Sequence, residues 1–303
     1  MISVDLGSNT FRCIEYDCET MTFGRDFERI VKTADGMHQT RRISEGAIMR
    51  ILGAIKAADN LYGFANQQVR AVTTAAMRMA ENSAEVLCRI EEEGGVAFAV
   101  IDAAQEAEYS LLAVAHRLES LKIPGDSFVL IDIGGGSSEV IFSQHGAVQS
   151  RSFPLGIVTV AQQCEGPADV RSFLQAAFQP VRAYVKRHYE EHGRPELLVA
   201  TAGTPTTMAA FLQGMTYEDY DVARINGYTL SAAACQKALE GLMALDDAER
   251  IRYVGAGRET LIVAGVVIVQ MFYELLGFDE AIVIDDGVRE GVAIAYCKEQ
   301  ASG

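Results

Sequence analysis

The 303-residue sequence has no CxxC pair, no low-complexity tract, no basic-then-apolar leader ahead of Asp5, and only 26 basic side chains against 41 acidic ones. Each shortfall closes a class of function. Cys13, Cys18, Cys88, Cys164, Cys235 and Cys297 are scattered through apolar or helix-like runs. With no CxxC pair and such surroundings, these six read as reduced, buried thiols of a cytoplasmic protein, neither a zinc site nor a disulfide framework. Without a leader, secretion is not expected. The longest uncharged apolar stretch, residues 261–273, has 13 residues, short of the ~20 that span a bilayer, so it is expected as a buried helix and no membrane partner is expected. A formal net charge of -15 repels a phosphate backbone at long range and argues against a nucleic-acid partner. The deficit is uneven: residues 1–100 carry 11 basic and 14 acidic side chains, the remainder 15 and 27. What is present, 49% hydrophobic and 22% charged residues, is the composition of an ordinary globular protein, and the length is that of about two domains.

One feature repeats. The apolar run Met1-Ile2-Ser3-Val4 ends in Asp5-Leu6-Gly7-Ser8-Asn9-Thr10, and Phe128-Val129-Leu130-Ile131 ends in Asp132-Ile133-Gly134-Gly135-Gly136-Ser137-Ser138-Glu139, the two aspartates standing 127 positions apart. Each copy reads as a strand that delivers an acid into a small-residue turn. Strand-like runs at 11–16 and 139–142 then make each copy a β-hairpin, and two such hairpins facing each other make a phosphate clamp. Helical periodicity is expected at 44–64, 103–118, 170–188, 231–245 and 259–276, with further strands at 68–73, 96–101, 196–200 and 281–284. This interleaving predicts an α/β protein. Ser120, Pro124 and Gly125 break the chain before the second acidic strand, which places the domains at 1–118 and 119–303, the last helix packing back on the first domain.

Phosphate chemistry needs amide donors that approach oxygen closely. Gly134, Gly135 and Gly136 remove the side chains that would obstruct them, and Ser137 and Ser138 add hydroxyls. A third turn, Thr201-Ala202-Gly203-Thr204, follows a strand and opens a helix, an anion site by geometry and dipole. Asp5, Asp132 and Glu139 beside such turns would be repelled by phosphate unless a cation lay between, which suggests Mg²⁺. The competing reading is that the aspartates only accept turn amides. Arg78 follows the run Val72-Thr73-Thr74-Ala75, where a guanidinium can grip phosphate in bidentate fashion, although composition alone makes it a solvated helix-face cation. Glu106 opens a helix, and its first explanation is compensation of the helix dipole. His188 and His192, one turn apart before Gly193, read as cations favourable at a helix C-terminus.

Taken together, these segments resemble the exopolyphosphatase/guanosine pentaphosphate phosphohydrolase family, within the acetate-kinase, sugar-kinase, heat-shock-70 and actin superfamily. The resemblance runs from Asp5 to Gly291. Its blocks fall in family order: Ala34-Asp35-Gly36-Met37 with Ile43-Ser44-Glu45-Gly46-Ala47-Ile48; Ala76 to Asn82 on A-x-R-x-A-x-N; 132–139 on D-I-G-G-G-S-[ST]-E; Gly203-Thr204; Arg258 to Gly265; and Gly287-Val288-Arg289-Glu290-Gly291 on G-[LV]-R-E-G.

That resemblance implies a fold of two ribonuclease-H-like (actin-like ATPase) domains with the active site in the cleft between them. It implies Glu106 as the catalytic glutamate that activates water, Arg78 as the phosphate-gripping cation, and Ser8, Asn9 and Thr10 as the first phosphate turn. It also implies Asp132 and Glu139 as ligands of Mg²⁺ or Mn²⁺, and a homodimer. Where the family usually reads I-S-G-x-E-E-A, this chain has Ile101-Asp102-Ala103-Ala104-Gln105-Glu106-Ala107. It also stops without the helical extension of long members, which favours short chains or a nucleotide as substrate. The expected activity is release of terminal phosphate from inorganic polyphosphate or from the 5′ end of guanosine pentaphosphate. The rivals are a non-catalytic sensor of the same ligands, suggested by the altered loop, and a kinase of the same superfamily.

Overall fold

The computed structural model describes residues 1–164 and 166–302. Two compact units are formed, Met1–Ala113 together with the residues from Gly287 onward, and Val114–Asp286. The first is therefore built from both ends of the chain, and the division falls inside the helix Ala103–Ser120.

The first unit holds β1 (Ile2–Leu6), β2 (Thr10–Asp17), β3 (Thr22–Ile30), β4 (Val69–Thr73) and β5 (Phe98–Val100), ordered β3-β2-β1-β4-β5. The second holds β6 (Ser127–Ile133), β7 (Ser138–Gln144), β8 (Ala147–Phe153), β9 (Leu197–Thr201), β10 (Tyr228–Ser231) and β11 (Glu280–Val283), ordered β10-β11-β9-β6-β7-β8. Read from β8 inward, the second sheet repeats the order of the first and adds β10. In each, the acid-bearing strand is antiparallel to the strand after its turn and parallel to the strand on its other side. The repeat seen in two short turns is thus a repeat of a whole mixed sheet, the ribonuclease-H-like arrangement expected.

The central strands β1 and β6 are buried on nearly every residue, which is why they read as continuous apolar runs. The outer strands β3 and β8 escape sequence reading. Most of their residues are exposed, and β3 carries Arg25, Asp26, Glu28 and Arg29. Charge on an edge strand prevents pairing with a second chain and erases the hydrophobic alternation that would reveal it.

Both turns close in the same way. Gly7 N–H donates to Thr10 O and Gly134 N–H to Ser137 O, each at 2.9 Å. In both copies the segment after the third strand then takes up the turn's carbonyls: Ser8 O receives Ala34 N–H at 2.8 Å and Asn9 O receives Val31 and Lys32 N–H at 2.9 Å. Gly134 O receives Ile157 N–H at 3.0 Å and Gly135 O receives Val158 N–H at 2.8 Å. Gly156 lies so close to the second turn that a methyl group there would overlap the Gly135 carbonyl and the Gly136 backbone.

Two expectations need correction. The helix expected over 170–188 is two helices, Pro167–Ala177 and Gln179–His192. Pro180 has no amide to continue the first one and instead occupies the opening turn of the second. The cysteines are not all reduced: Cys18 and Cys297 form a disulfide across 279 positions, and Cys88 is exposed. The contact arises because the helix Val288–Ser302 places Ala293, Ile294 and Cys297 against Tyr16, a proximity that no spacing rule along the chain can show. The apolar run at 261–273 is, as expected, a buried helix, Ile262–Leu276. Among the described residues no helix is long and apolar enough to cross a membrane.

His188 is not a solvated cation either. It is buried, stacked on Phe142 with ring centroids 3.6 Å apart, and its Nδ1 and Nε2 lie 3.0 and 2.6 Å from the side-chain amides of Gln149 and Gln144. Burial, reinforced by nearby His192, lowers its pKa.

Two measurements follow. Gly156→Ala is expected to cost at least the roughly 1–3 kcal/mol typical of overpacking, because its neighbour is backbone that has nowhere to move; an unchanged urea midpoint would disprove the contact. A histidine favoured as neutral in the fold contributes stability that is complete above its unfolded value of about 6.5 and is lost as pH falls below it. Lowering the pH from 7.5 to 5.5 should therefore reduce the urea midpoint of the wild type more than that of His188→Gln.

Candidate active site

Strand register decides which side chains meet at the sheet edges. Asp132 pairs directly with Glu139 across β6 and β7, and on its other side lies opposite Thr201 of β9. Cross-strand partners project from the same face, so the two carboxylates are neighbours. Glu139 is buried, and its Oε1 accepts hydrogen bonds from Ser137 Oγ at 2.8 Å and Ser152 Oγ at 2.6 Å. Ser152, on an exposed edge strand, carries no mark in the sequence; only the register shows that it orients this carboxylate.

The first copy differs at the same place. Asp5 pairs across β1 and β2 with Arg12, whose guanidinium is bridged to Glu28 at 2.8 Å. Ser8 and Asn9 of its turn are buried, Thr10 opens β2, and the Asn9 side-chain oxygen has no hydrogen-bond partner among the described residues. Behind Asp5, burial raises the pKa of the Cys13 thiol far above its usual range, opposed by Arg289 and reinforced by Asp5. It is therefore no thiolate nucleophile.

In the third turn, Ala202 adopts a φ of 71°, a conformation that costs a non-glycine residue free energy and that surrounding contacts must enforce. Thr201 Oγ1 donates to Asp286 O at 2.8 Å, and the helix Gly203–Leu212 starts immediately after. Thr204 is buried against Gly265, where any larger residue would overlap its hydroxyl. The Arg258 guanidinium lies beside Gly203.

The remaining pair is the most direct. Arg78, on the short helix Ala75–Met79, donates from Nη1 to Glu106 Oε2 at 2.7 Å and to Ile101 O at 2.8 Å. Glu106 is buried in the first turn of the helix Ala103–Ser120. The residues that depart from the family pattern build that helix start: Asp102 Oδ1 accepts Ala104 and Gln105 N–H, both at 2.9 Å, while Gln105 Oε1 accepts Asp102 N–H at 3.1 Å. This is a reciprocal capping box, so the changed loop retains a well-formed entry to Glu106. Asn82, which closes the A-x-R-x-A-x-N block, exchanges hydrogen bonds with Ile43 N–H and O at 2.9 and 3.0 Å. It locks the segment that carries Arg78.

The expected site residues therefore fall into two internally ordered sets. Ser8, Asn9, Thr10, Asp5, Arg78 and Glu106 belong to the first unit; Asp132, Gly134, Gly135, Gly136, Ser137, Ser138, Glu139, Gly203 and Thr204 belong to the second. Among the described residues no group of three or more histidine, cysteine or carboxylate side chains converges as a metal cage. Two adjacent carboxylates are what a magnesium ion that keeps water and phosphate oxygens requires.

Residues 20–299 match the Ppx/GppA phosphatase family. The chain is 27% identical over 324 residues to exopolyphosphatase 2 of Mycobacterium tuberculosis, with 97% of each chain covered. A Ppx/GppA family member from Aquifex aeolicus superposes with a TM-score of 0.72 at 27% identity, covering 99% of this chain and 97% of the other. An exopolyphosphatase from Cytophaga hutchinsonii superposes at 0.83 with 21% identity, over 98% and 97% of the two chains, and bears on the fold alone. Sequence match, fold and shared length agree, and the chain belongs to the Ppx/GppA phosphatase family.

Proposed function

We propose that this phosphatase hydrolyses terminal phosphoanhydride bonds, releasing orthophosphate from inorganic polyphosphate, from the 5′ end of guanosine pentaphosphate, or from both. The observation that carries the reading is the partly buried Arg78–Glu106 pair at 2.7 Å, set at a capped helix start; the family's phosphatase identity and a relative named exopolyphosphatase support it.

In this reading the incoming terminal phosphate competes with Glu106 for the Arg78 guanidinium. Phosphate offers oxygens in the geometry that arginine binds best, so the ion pair passes from the carboxylate to the substrate. Glu106, released, accepts a proton from a water molecule as the water oxygen bonds to the terminal phosphorus. The bridging P–O bond breaks on the opposite side, and the chain leaves one phosphate shorter. Phosphoryl transfer of this kind needs positioning and charge neutralisation more than covalent help. The amides and hydroxyls of the turns at 8–10, 134–138 and 203–204 are proposed to supply that positioning.

Asp132 and Glu139 would hold Mg²⁺ or Mn²⁺, with Asp5 as the third acid of the proposal. When bound, the ion would neutralise phosphate charge and allow a protein of net charge -15 to accept a polyanion. Glu139 has the character of a ligand because its two hydroxyl donors fix its orientation before any ion arrives.

Two outcomes are expected. Glu106→Gln should lower turnover by roughly 10²–10⁴-fold, the usual share of general acid–base catalysis, in protein that is still folded. It would be measured as phosphate release from medium-chain polyphosphate and from guanosine pentaphosphate; wild-type turnover would remove Glu106 from the mechanism. Excess chelator should abolish release by the wild-type protein and Mg²⁺ should restore it, whereas full activity in chelator would exclude the assigned role of Asp132 and Glu139. Tight binding of either ligand with no release would identify a sensor instead.

A further inference from the structure

The two acid-bearing turns are backed by segments of different kinds. In the second copy the amides that bind the turn's carbonyls, those of Ile157 and Val158, are the first two of the helix Ile157–Ala161. The opening amides of a helix have no partner within it and point out of its end, so helical geometry itself aims them. In the first copy the backing amides of Val31, Lys32 and Ala34 belong to no helix or strand. Lys32 also adopts a φ of 50°, a left-handed conformation that costs free energy in any residue with a side chain and persists only where its surroundings enforce it.

Arg50 supplies the enforcement. It lies on the helix Glu45–Tyr62, which is anchored by its buried Ala47, Ile48, Ile51 and Ile55. Its guanidinium donates from Nε to Val31 O at 2.7 Å and from Nη2 to Lys32 O at 3.3 Å. The peptide group joining Val31 to Lys32 is therefore held at both ends: its carbonyl by Arg50, and its N–H by Asn9 O at 2.9 Å. Lys32 O also receives Asp35 N–H at 3.1 Å, which closes the bend. The bridge from Arg50 to the exposed carboxylate of Asp35, at 3.5 Å, is of the screened kind that contributes little. The two carbonyl contacts carry the grip, and every residue in it belongs to the first unit.

We infer that Arg50 is a positioning residue for the substrate. By fixing the segment 31–34 it keeps the carbonyls of Ser8 and Asn9 occupied and leaves the first turn's donors to phosphate, the task that a helix start performs in the second copy. The inference rests on the proposed phosphate-binding role of Ser8, Asn9 and Thr10. Arg50 itself touches no reacting atom; it acts through the segment.

The test compares Arg50→Met and Arg50→Lys with the wild type, as phosphate release from polyphosphate and from guanosine pentaphosphate well below the melting temperature. Methionine keeps an unbranched stem and removes every donor. A turn that binds phosphate equally in the ground and transition states contributes to KM, so kcat/KM should fall about 10-fold, mostly through KM, with kcat within about 3-fold. Lysine, with one point donor in place of a fork, should restore only part of the loss. A wild-type KM in Arg50→Met would overturn the inference, and full recovery by lysine would reduce Arg50 to a charge and overturn it as well.

Lys32→Gly provides a readout that a general loss of stability would not move. Glycine adopts a positive φ without steric cost, so the segment then depends less on Arg50. The KM penalty of Arg50→Met, measured in the Lys32→Gly background, should shrink to about 2- to 3-fold; an undiminished penalty overturns the inference. Independently of any substrate, hydrogen exchange at amides 31, 32 and 34 should accelerate about 10-fold in Arg50→Met while exchange in β6 is unchanged, and wild-type protection at 31–34 would also overturn it. Faster exchange with wild-type kinetics would overturn the role of Arg50 and leave that of Glu106 intact. A wild-type protein that releases phosphate from neither substrate would remove the hydrolase reading and the inference with it.

Discussion

A peptide turn presents carbonyl oxygens as readily as amide hydrogens, and only the hydrogens can face a phosphate. On the proposed phosphate-binding role of these turns, the way each is backed resolves that ambiguity. In each, a third strand after the hairpin is followed by a segment whose own amides bind the carbonyls of the turn: 31–34 in one copy and 157–158 in the other. With those acceptors satisfied internally, the turn is left to its amide and hydroxyl donors. The close approach of Gly156 to Gly135 and Gly136 is the same requirement expressed as a residue type, because the second turn can be backed this tightly only by a residue without a side chain.

The two copies share a backbone but not a charge. Asp5 meets Arg12 across its strand pair, whereas Asp132 meets Glu139. One substitution at one register position therefore turns a balanced pair into a doubly negative one, suited to a cation, without altering the sheet that carries it. Charge repulsion between Asp132 and Glu139 is relieved in part by the hydroxyls of Ser137 and Ser152 on Glu139. The ion pair of Arg78 and Glu106 is the converse case, two partners each held by backbone or helix geometry and each available for exchange.

Much of this was readable in the sequence because it is local. An apolar run ending in an acid and glycines is a strand and a turn wherever it occurs, and the hairpin pairing, the buried helix at 262–276 and the capped helices follow from short-range patterning. The whole-chain block order pointed to the correct family. Three things could not be read. Edge strands β3 and β8 lack alternation because charge and exposure are what protect them. Ser152 gains its partner only from the register of β7 against β8. Cys18 and Cys297 are brought together by the return of the chain to its first unit, and Arg117 and Asp286 by the folding of the second; their separations of 279 and 169 positions carry no periodic trace. Pro180 is the opposite case: its missing amide is local, but helical periodicity on both sides of it conceals the break between Pro167–Ala177 and Gln179–His192.

Because the helix Val288–Ser302 covers Tyr16 and also packs with Val72 and Ile101, the first sheet has no complete core until those residues exist. The second unit is one continuous segment, Val114–Asp286. The usual order, in which the N-terminal domain folds first, is therefore closed to the first unit. Until residues 288–302 are in place, Tyr16, Val72 and Ile101 lack part of their apolar cover and Cys18 lacks its partner.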